Sequence, residues 1–292
     1  MQILLLYAAV VLIWGSTWAA IPYQLGSVPV ELSIGYRFAI AAASLYLYAW
    51  ASRRGLRLPT AALPFVLLQG ALLFSLNYIL VYYATARLTS GLVAVLFSSI
   101  VICNALFERV FFHAPRDGRV LLAALLGIVG MAMIFWPEVS SLSLRDNALT
   151  GVLLALASVV LASLGNMVAL VNTRRNLPVV AVNAHSMLFA AALVLTLSLL
   201  FGIEPKFSAE PGYVMSLAYL AVFGSAIAFG CYLALIGRIG AARASYSSVL
   251  FPVIALLLST LFEGYRWTPV AAIGMMLTLV GNWLVLNRPA KQ

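Results

Sequence analysis

The chain has 292 residues, of which 64% are hydrophobic and only 9% charged, and its mean hydropathy is +1.06. A water-soluble domain cannot bury that much apolar side chain, so composition places the chain in a bilayer and excludes a soluble globular class. The net charge of +9 comes from 17 basic residues scattered in short clusters between apolar runs, which is the pattern of charge that orients membrane spans and not of a nucleic-acid surface.

Ten runs approach the roughly 20 apolar residues needed to cross the hydrocarbon core. They cover 3 to 25, 31 to 52, 62 to 86, 90 to 111 and 118 to 137, then 148 to 172, 179 to 202, 212 to 236, 242 to 263 and 268 to 287. Short connectors carry the breakers Pro29, Pro59, Pro115, Pro178, Pro205 and Pro211. Runs of this length without alternation predict helices, because in lipid each backbone N–H and C=O must be satisfied within its own segment. The first run lacks a preceding Lys or Arg and a small-residue cleavage site, so it reads as a retained span.

The first span contains IWGSTW, Ile13 to Trp18. Trp14 falls about eleven residues into the run, roughly 16 Å at 1.5 Å per residue, too deep for an interfacial aromatic belt. An indole N–H at that depth needs a partner, so Trp14 is expected to face protein or a wet cavity, with Trp18 four residues on along the same face. Gly15 permits close approach of a neighbour, while Ser16 and Thr17 can bond back to the helix backbone.

In the second span Arg37 is the one Lys or Arg predicted away from the ends of a run, since Arg109, Arg119 and Arg243 fall within three residues of theirs. Three readings stand for it: binding a carboxylate, snorkelling outward, or pairing with Glu31. The third span offers Asn77, Tyr78 and Tyr82 as cavity candidates, and the fourth offers Ser98, Ser99 and Asn104 as weaker ones. Glu108 ends the fourth span beside Arg109, where local pairing or a gate contact is expected. In the second half the candidates are Asn166, following Gly165 in the sixth span, Tyr232 in the eighth, and Tyr246 and Ser248 in the ninth. His185 in the seventh span is the one in-span group that titrates near neutrality. It reads either as a proton-coupling residue or as a hydrogen-bonded structural histidine. Each of the polar candidates also has a plain alternative role in bonding helix to helix.

The two halves repeat at an offset near 150. Gly15 matches Gly165, Ala41-Ala42-Ala43 matches Ala190-Ala191-Ala192, Ser75 matches Ser225, and Tyr82 matches Tyr232. Leu106-Phe107-Glu108 and Leu261-Phe262-Glu263 then end spans four and nine. The expected units are 1–137 and 148–292. Five spans per unit is an odd number, so the second unit must be inverted, an architecture associated with alternating access. With the N-terminus on the cytoplasmic side, the inner segments hold Arg53, Arg54, Arg57, Arg109, Arg116, Arg119, Arg174, Arg175, Arg238, Arg243, Arg288 and Lys291. The outer ones hold Arg87, Arg145, Lys206 and Arg266. That asymmetry puts both termini inside.

With Trp14-Gly15-Ser16-Thr17, Arg37-Phe38, Leu106-Phe107-Glu108, Pro252 and Leu261-Phe262-Glu263 in their respective spans, the whole chain resembles the drug/metabolite transporter superfamily, in its ten-helix EamA-type branch. The resemblance implies an all-α membrane protein, a five-plus-five inverted bundle around a central cavity, exporting small metabolites across a bacterial inner membrane. Among such proteins the chain looks most like exporters of amino acids, the aromatic type included. One departure is that the fourth span reads Leu96-Phe97-Ser98-Ser99 where the family often has a proline to match Pro252. Gly15, Gly165 and Pro252 are read as bending points, and Glu108 and Glu263 as gate contacts.

No carboxylate is predicted at mid-membrane, so exchange of a proton for a cation at one buried Glu has no candidate. The near-absence of basic residues within spans argues against phosphate esters and nucleotide sugars. Cys103 and Cys231 read as small core residues, with no disulfide or metal site implied. Catalytic residues, cofactors, metals and a nucleic-acid partner are not expected, and an enzyme would need a His, Asp, Glu or Cys cluster that the sequence does not present. The expected partners are a small-molecule substrate and the lipid bilayer, in a monomer or homodimer. A multidrug or nucleobase exporter of the same fold is the alternative.

Overall fold

The computed structural model describes residues 2–88, 90–114, 118–134, 136, 148–251, 253–254 and 268–286. Among these residues the secondary structure is helical, without strands. Seven helices are long and apolar enough to cross a membrane. They are α1 (Gln2–Ala20, continued by a 3₁₀ turn over Ile21–Gln24), α2 (Val30–Ala51), α3 (Thr60–Thr85), α4 (Leu92–Phe112), α6 (Ala148–Arg174), α7 (Val179–Leu200) and α8 (Pro211–Ile239). Two shorter apolar helices are α5 (Gly118–Ile134) and α10 (Pro269–Leu286). Between α8 and α10, α9 (Ala241–Ser245) passes into a 3₁₀ turn over Tyr246–Leu250. The expected ninth span is thus described only to Ile254, and Pro252 and Glu263 lie outside the described residues.

Helix starts follow the breakers. Pro29, Pro178 and Pro211 stand at the first turns of α2, α7 and α8, where the missing proline N–H has no carbonyl to serve. Hydrophobicity runs around all sides of these helices, as expected when one face meets lipid and the others meet protein. Exposed Leu4, Leu12, Leu47, Trp50, Leu153 and Leu200 belong to the outer surface. Small residues mark the helix contacts. Buried Ala41 and Ala42 of α2 lie along α7 with its Ala190 and Ala191, and a Cβ on Gly35 would overlap Leu195. Gly130 of α5 and Gly274 of α10 approach so closely that a Cβ on either would strike the other's carbonyl oxygen. This is how helices associate when lipid removes the hydrophobic drive between them: close backbone approach raises packing.

Two segments depart from α-geometry. Gly70–Leu76 in α3 and Val222–Ile227 in α8 are π-helical. In each, a serine donates to a carbonyl five residues back, Ser75 to Gly70 at 3.1 Å and Ser225 to Leu220 at 3.0 Å. A π-turn widens the backbone and re-aims the side chains beyond it. Hydropathy carries no trace of it.

Candidate functional site

A cavity of about 80 Å³ lies where α1, α2, α3, α4, α6, α8 and the segment from Ser245 to Phe251 converge. Of the sequence candidates, Trp14, Trp18, Asn77, Tyr78, Asn166, Tyr232 and Ser248 line it. Tyr82, Ser98 and His185 are not in its lining. Tyr82 is fully buried and its phenol oxygen accepts from Arg37 Nη1 at 3.2 Å. Ser98 donates to Val95 O at 2.6 Å, satisfied within its own helix. His185 sits with Nδ1 at 2.8 Å from Ala181 O and its ring against Tyr46, away from the cavity wall.

The wall is aromatic. Trp14 is edge-on to Phe229 at 4.7 Å between centroids and 5.0 Å from Tyr232, with Phe251 at 5.6 Å. Phe229 continues to Phe74 at 4.7 Å and Tyr78 at 6.3 Å. The Trp14 indole N–H donates to Gly224 O at 2.9 Å, a carbonyl of the π-segment of α8. Trp18 packs edge-on to Phe97. Ser16 bonds back to Leu12 O and Ile13 O and also meets the Tyr219 hydroxyl at 2.6 Å, while Thr17 donates to Trp14 O. Phe229 was not among the sequence candidates, although it stands three residues before Tyr232, on the same helix face. Phe97 and Phe251 carry no comparable signal, since phenylalanines are common throughout such a chain.

Arg37 is the charged group of the cavity lining, only 2% exposed. It neither snorkels outward nor pairs with Glu31. Glu31 instead accepts from the Tyr83 hydroxyl at 2.5 Å. Arg37 Nε donates to Ser225 Oγ at 2.9 Å, and its other bonds go to Tyr82 and, at 3.5 Å, Tyr78. The guanidinium lies 4.6 Å from the Tyr78 ring centroid and 5.6 Å from that of Phe38, within range of cation–π attraction. These partners are neutral, and among the described residues no carboxylate pairs with it.

A chain of amides beside the cavity joins α4, α6 and α8. Asn104 Nδ2 donates to Ala241 O at 3.3 Å, its Oδ1 accepts from Ser163 at 2.6 Å and Asn166 at 3.4 Å, and Asn166 also donates to the Tyr232 hydroxyl at 3.1 Å. At the end of the bundle where α4 and α8 finish, Glu108 Oε1 accepts from the backbone N–H groups of Ala241 at 2.5 Å and Ala242 at 3.3 Å. The carboxylate ties α4 to the start of α9. Gly15 and Gly165 are close-contact sites: a Cβ would come within 2.7 Å of Ile254 Cβ at the first and 2.9 Å of Leu73 Cβ at the second. Among the described residues no three His, Cys, Asp or Glu side chains gather as a metal site.

Comparison with known proteins finds similarity over nearly the whole chain. The model of the EamA-like transporter family matches residues 1–136 and 149–287. The chain is 29% identical to an uncharacterized inner membrane transporter, YedA, of Escherichia coli, covering 96% of this chain and 92% of that protein. It is 24% identical to Protein PagO of Salmonella typhimurium over 98% of this chain and 93% of that one. For the uncharacterized transporter YoaV of Bacillus subtilis the figures are 25%, 97% and 96%. A solved crystal structure, 20% identical, shares the fold with a TM-score of 0.78 over 96% of this chain and 94% of its own. The chain belongs to the EamA-like transporter family.

Proposed function

We propose that this multi-pass membrane transporter exports amino acids, aromatic and other neutral ones, and related small metabolites across a bacterial inner membrane by alternating access between two inverted halves, 1–137 and 148–292. The observation that carries the reading is the cavity. Both halves supply its wall, Trp14, Asn77 and Tyr78 from one and Asn166, Phe229 and Tyr232 from the other. Aromatic surface with a few placed neutral hydrogen-bonding groups suits a small amphiphilic solute.

Support for the inverted repeat comes from the packing. Under a shift of five helices, α2 against α7 and α5 against α10 map onto themselves, and α1 against α8 maps onto α6 against α3; all four pairs are in contact. The two π-segments map onto each other as well, with Ser75 and Ser225 at the repeat offset. In this scheme Gly15, Gly165 and Pro252 are bending points, and Glu108 and Glu263 close opposite ends. Both termini lie in the cytoplasm. The aromatic wall also favours a nucleobase exporter as a second reading, whereas the buried charge of Arg37 tells against cationic drugs.

The test is uptake by purified protein in liposomes, with amino acids, purines and phosphorylated metabolites supplied with and without a pH gradient. The expected result is amino-acid flux that proceeds without the gradient. Purine flux in the absence of amino-acid flux would transfer the assignment to the second reading, and accumulation that requires the gradient would call for a proton-coupled group.

A further inference from the structure

We infer that the cavity is a bipolar site for a zwitterion, in which Arg37 receives the carboxylate of an amino acid and the free oxygens of Asn77, Asn166 and Ser248 receive its ammonium. The inference rests on the amino-acid reading above and assigns each end of the substrate to named groups.

The acidic end follows from Arg37. A guanidinium has five N–H donors in a planar fork suited to a carboxylate. Here hydroxyl oxygens of Ser225, Tyr82 and Tyr78 take three of them, the last at a marginal 3.5 Å. Hydroxyl dipoles orient the group without neutralising it, and a buried charge without a counter-ion is unfavourable. Tyr82, Tyr78 and Ser225 therefore hold the fork in place, and a carboxylate entering the cavity supplies the missing charge.

The basic end follows from the amide network. Among the described residues, Asn77 Oδ1, Asn166 Oδ1 and Ser248 Oγ are buried atoms without a protein partner, and all three residues line this cavity. Their orientation is forced. The Ala241 carbonyl can only accept, so Asn104 turns its nitrogen to it and its oxygen toward Asn166. Asn166 must then present its nitrogen to Asn104 and Tyr232, which leaves its own oxygen free. By the same logic Asn77 Nδ2 donates to Leu73 O at 3.3 Å, and the oxygen remains. Buried acceptors left without donors are rare in folded proteins and mark the place of an absent partner. An ammonium with three N–H donors fits three such oxygens. Arg37 adjoins Tyr78, whereas Asn166 adjoins Tyr232. Phe229 is 6.3 Å from the Tyr78 ring and 6.5 Å from the Tyr232 ring, and with Trp14 it forms apolar wall for the side chain beside both groups.

The experiment is competition for labelled phenylalanine uptake into liposomes carrying the purified wild-type protein. Phenylalaninamide, which lacks the carboxylate, and 3-phenylpropionate, which lacks the ammonium, are each expected to compete about tenfold or more weakly than phenylalanine, since a site with buried polar groups rejects an analogue that leaves them unpaired. This comparison needs no variant and so no assumption about folding. Arg37→Gln is expected to erase the preference for phenylalanine over its amide while Arg37→Lys retains part of it, and Asn166→Leu is expected to erase the preference over 3-phenylpropionate. Phenylalanine flux with both truncated analogues competing equally would overturn the inference and leave the transport reading intact. Absence of any amino-acid flux in the wild type would overturn that reading and the inference with it.

Discussion

Trp14 joins two features that hydropathy treats alike. Its ring forms part of the cavity wall, and its N–H secures a carbonyl in the π-segment of α8. Trp14→Phe keeps most of the ring surface and removes the donor, leaving Gly224 O without it. A loss of about 1–2 kcal/mol is expected, as for a buried carbonyl deprived of one partner, visible as a lowered midpoint in thermal unfolding in detergent together with reduced uptake. Gly165 has no such latitude. Its absent Cβ would meet the backbone N and Cα of Leu73 at 3.2 Å as well as the Leu73 side chain, so Gly165→Val should separate α6 from α3. Overpacking of this kind typically destabilises by about 1–3 kcal/mol; an unchanged unfolding midpoint would contradict the contact.

At the scale of the helix, the π-segments of α3 and α8 hold Ser75 and Ser225, whose bonds differ. Ser225 has two partners there: it donates to Leu220 O and accepts from Arg37 Nε. Ser225→Ala removes both and leaves a buried guanidinium N–H unpaired, whereas Ser75→Ala removes only the bond to Gly70 O. The expected order of destabilisation is Ser225→Ala above Ser75→Ala, by roughly 1–2 kcal/mol because one lost bond involves a charged group. Equal unfolding midpoints would show that the guanidinium does not depend on this serine. The third helix also explains why residue spacing was only a partial guide. Tyr78 and Tyr82 share a helix face at four residues apart, yet Tyr78 reaches the cavity while Tyr82 is enclosed behind it as an acceptor for Arg37.

Across the whole molecule, the Glu108 tie to Ala241 and Ala242 joins α4 to α9. A carboxylate accepting backbone N–H groups makes hydrogen bonds of the stronger, charge-assisted kind. Glu108→Ala is therefore expected to open that end of the bundle, read as several-fold faster thiol labelling of a cysteine introduced at Ser247, which lines the cavity. Labelling at the wild-type rate would remove Glu108 from the closure. The proposed orientation has its own check. Cysteines replacing Arg54 and Lys206 should react with an impermeant thiol reagent from opposite sides of the membrane, that at 54 from the cytoplasm; the reverse pattern would invert the topology.

The amino-acid order by itself determined that the chain is a helical membrane protein of this family, and it brought Trp14, Asn77, Tyr78, Asn166, Tyr232 and Ser248 forward as candidates. Those conclusions depend on local quantities, the length of an apolar run and the scarcity of polar groups within it, and each can be read along one segment. Only the tertiary structure decided that Arg37 turns away from Glu31 toward Ser225, that His185 and Ser98 are satisfied within their own helices, and that Phe229 closes the wall. The physical reason is that a helix presents its residues around its whole circumference, and rotation, crossing and π-turns between helices set which groups meet. In a membrane those choices are made by close packing and by hydrogen-bond satisfaction between segments distant in sequence, and neither quantity is a property of any single span.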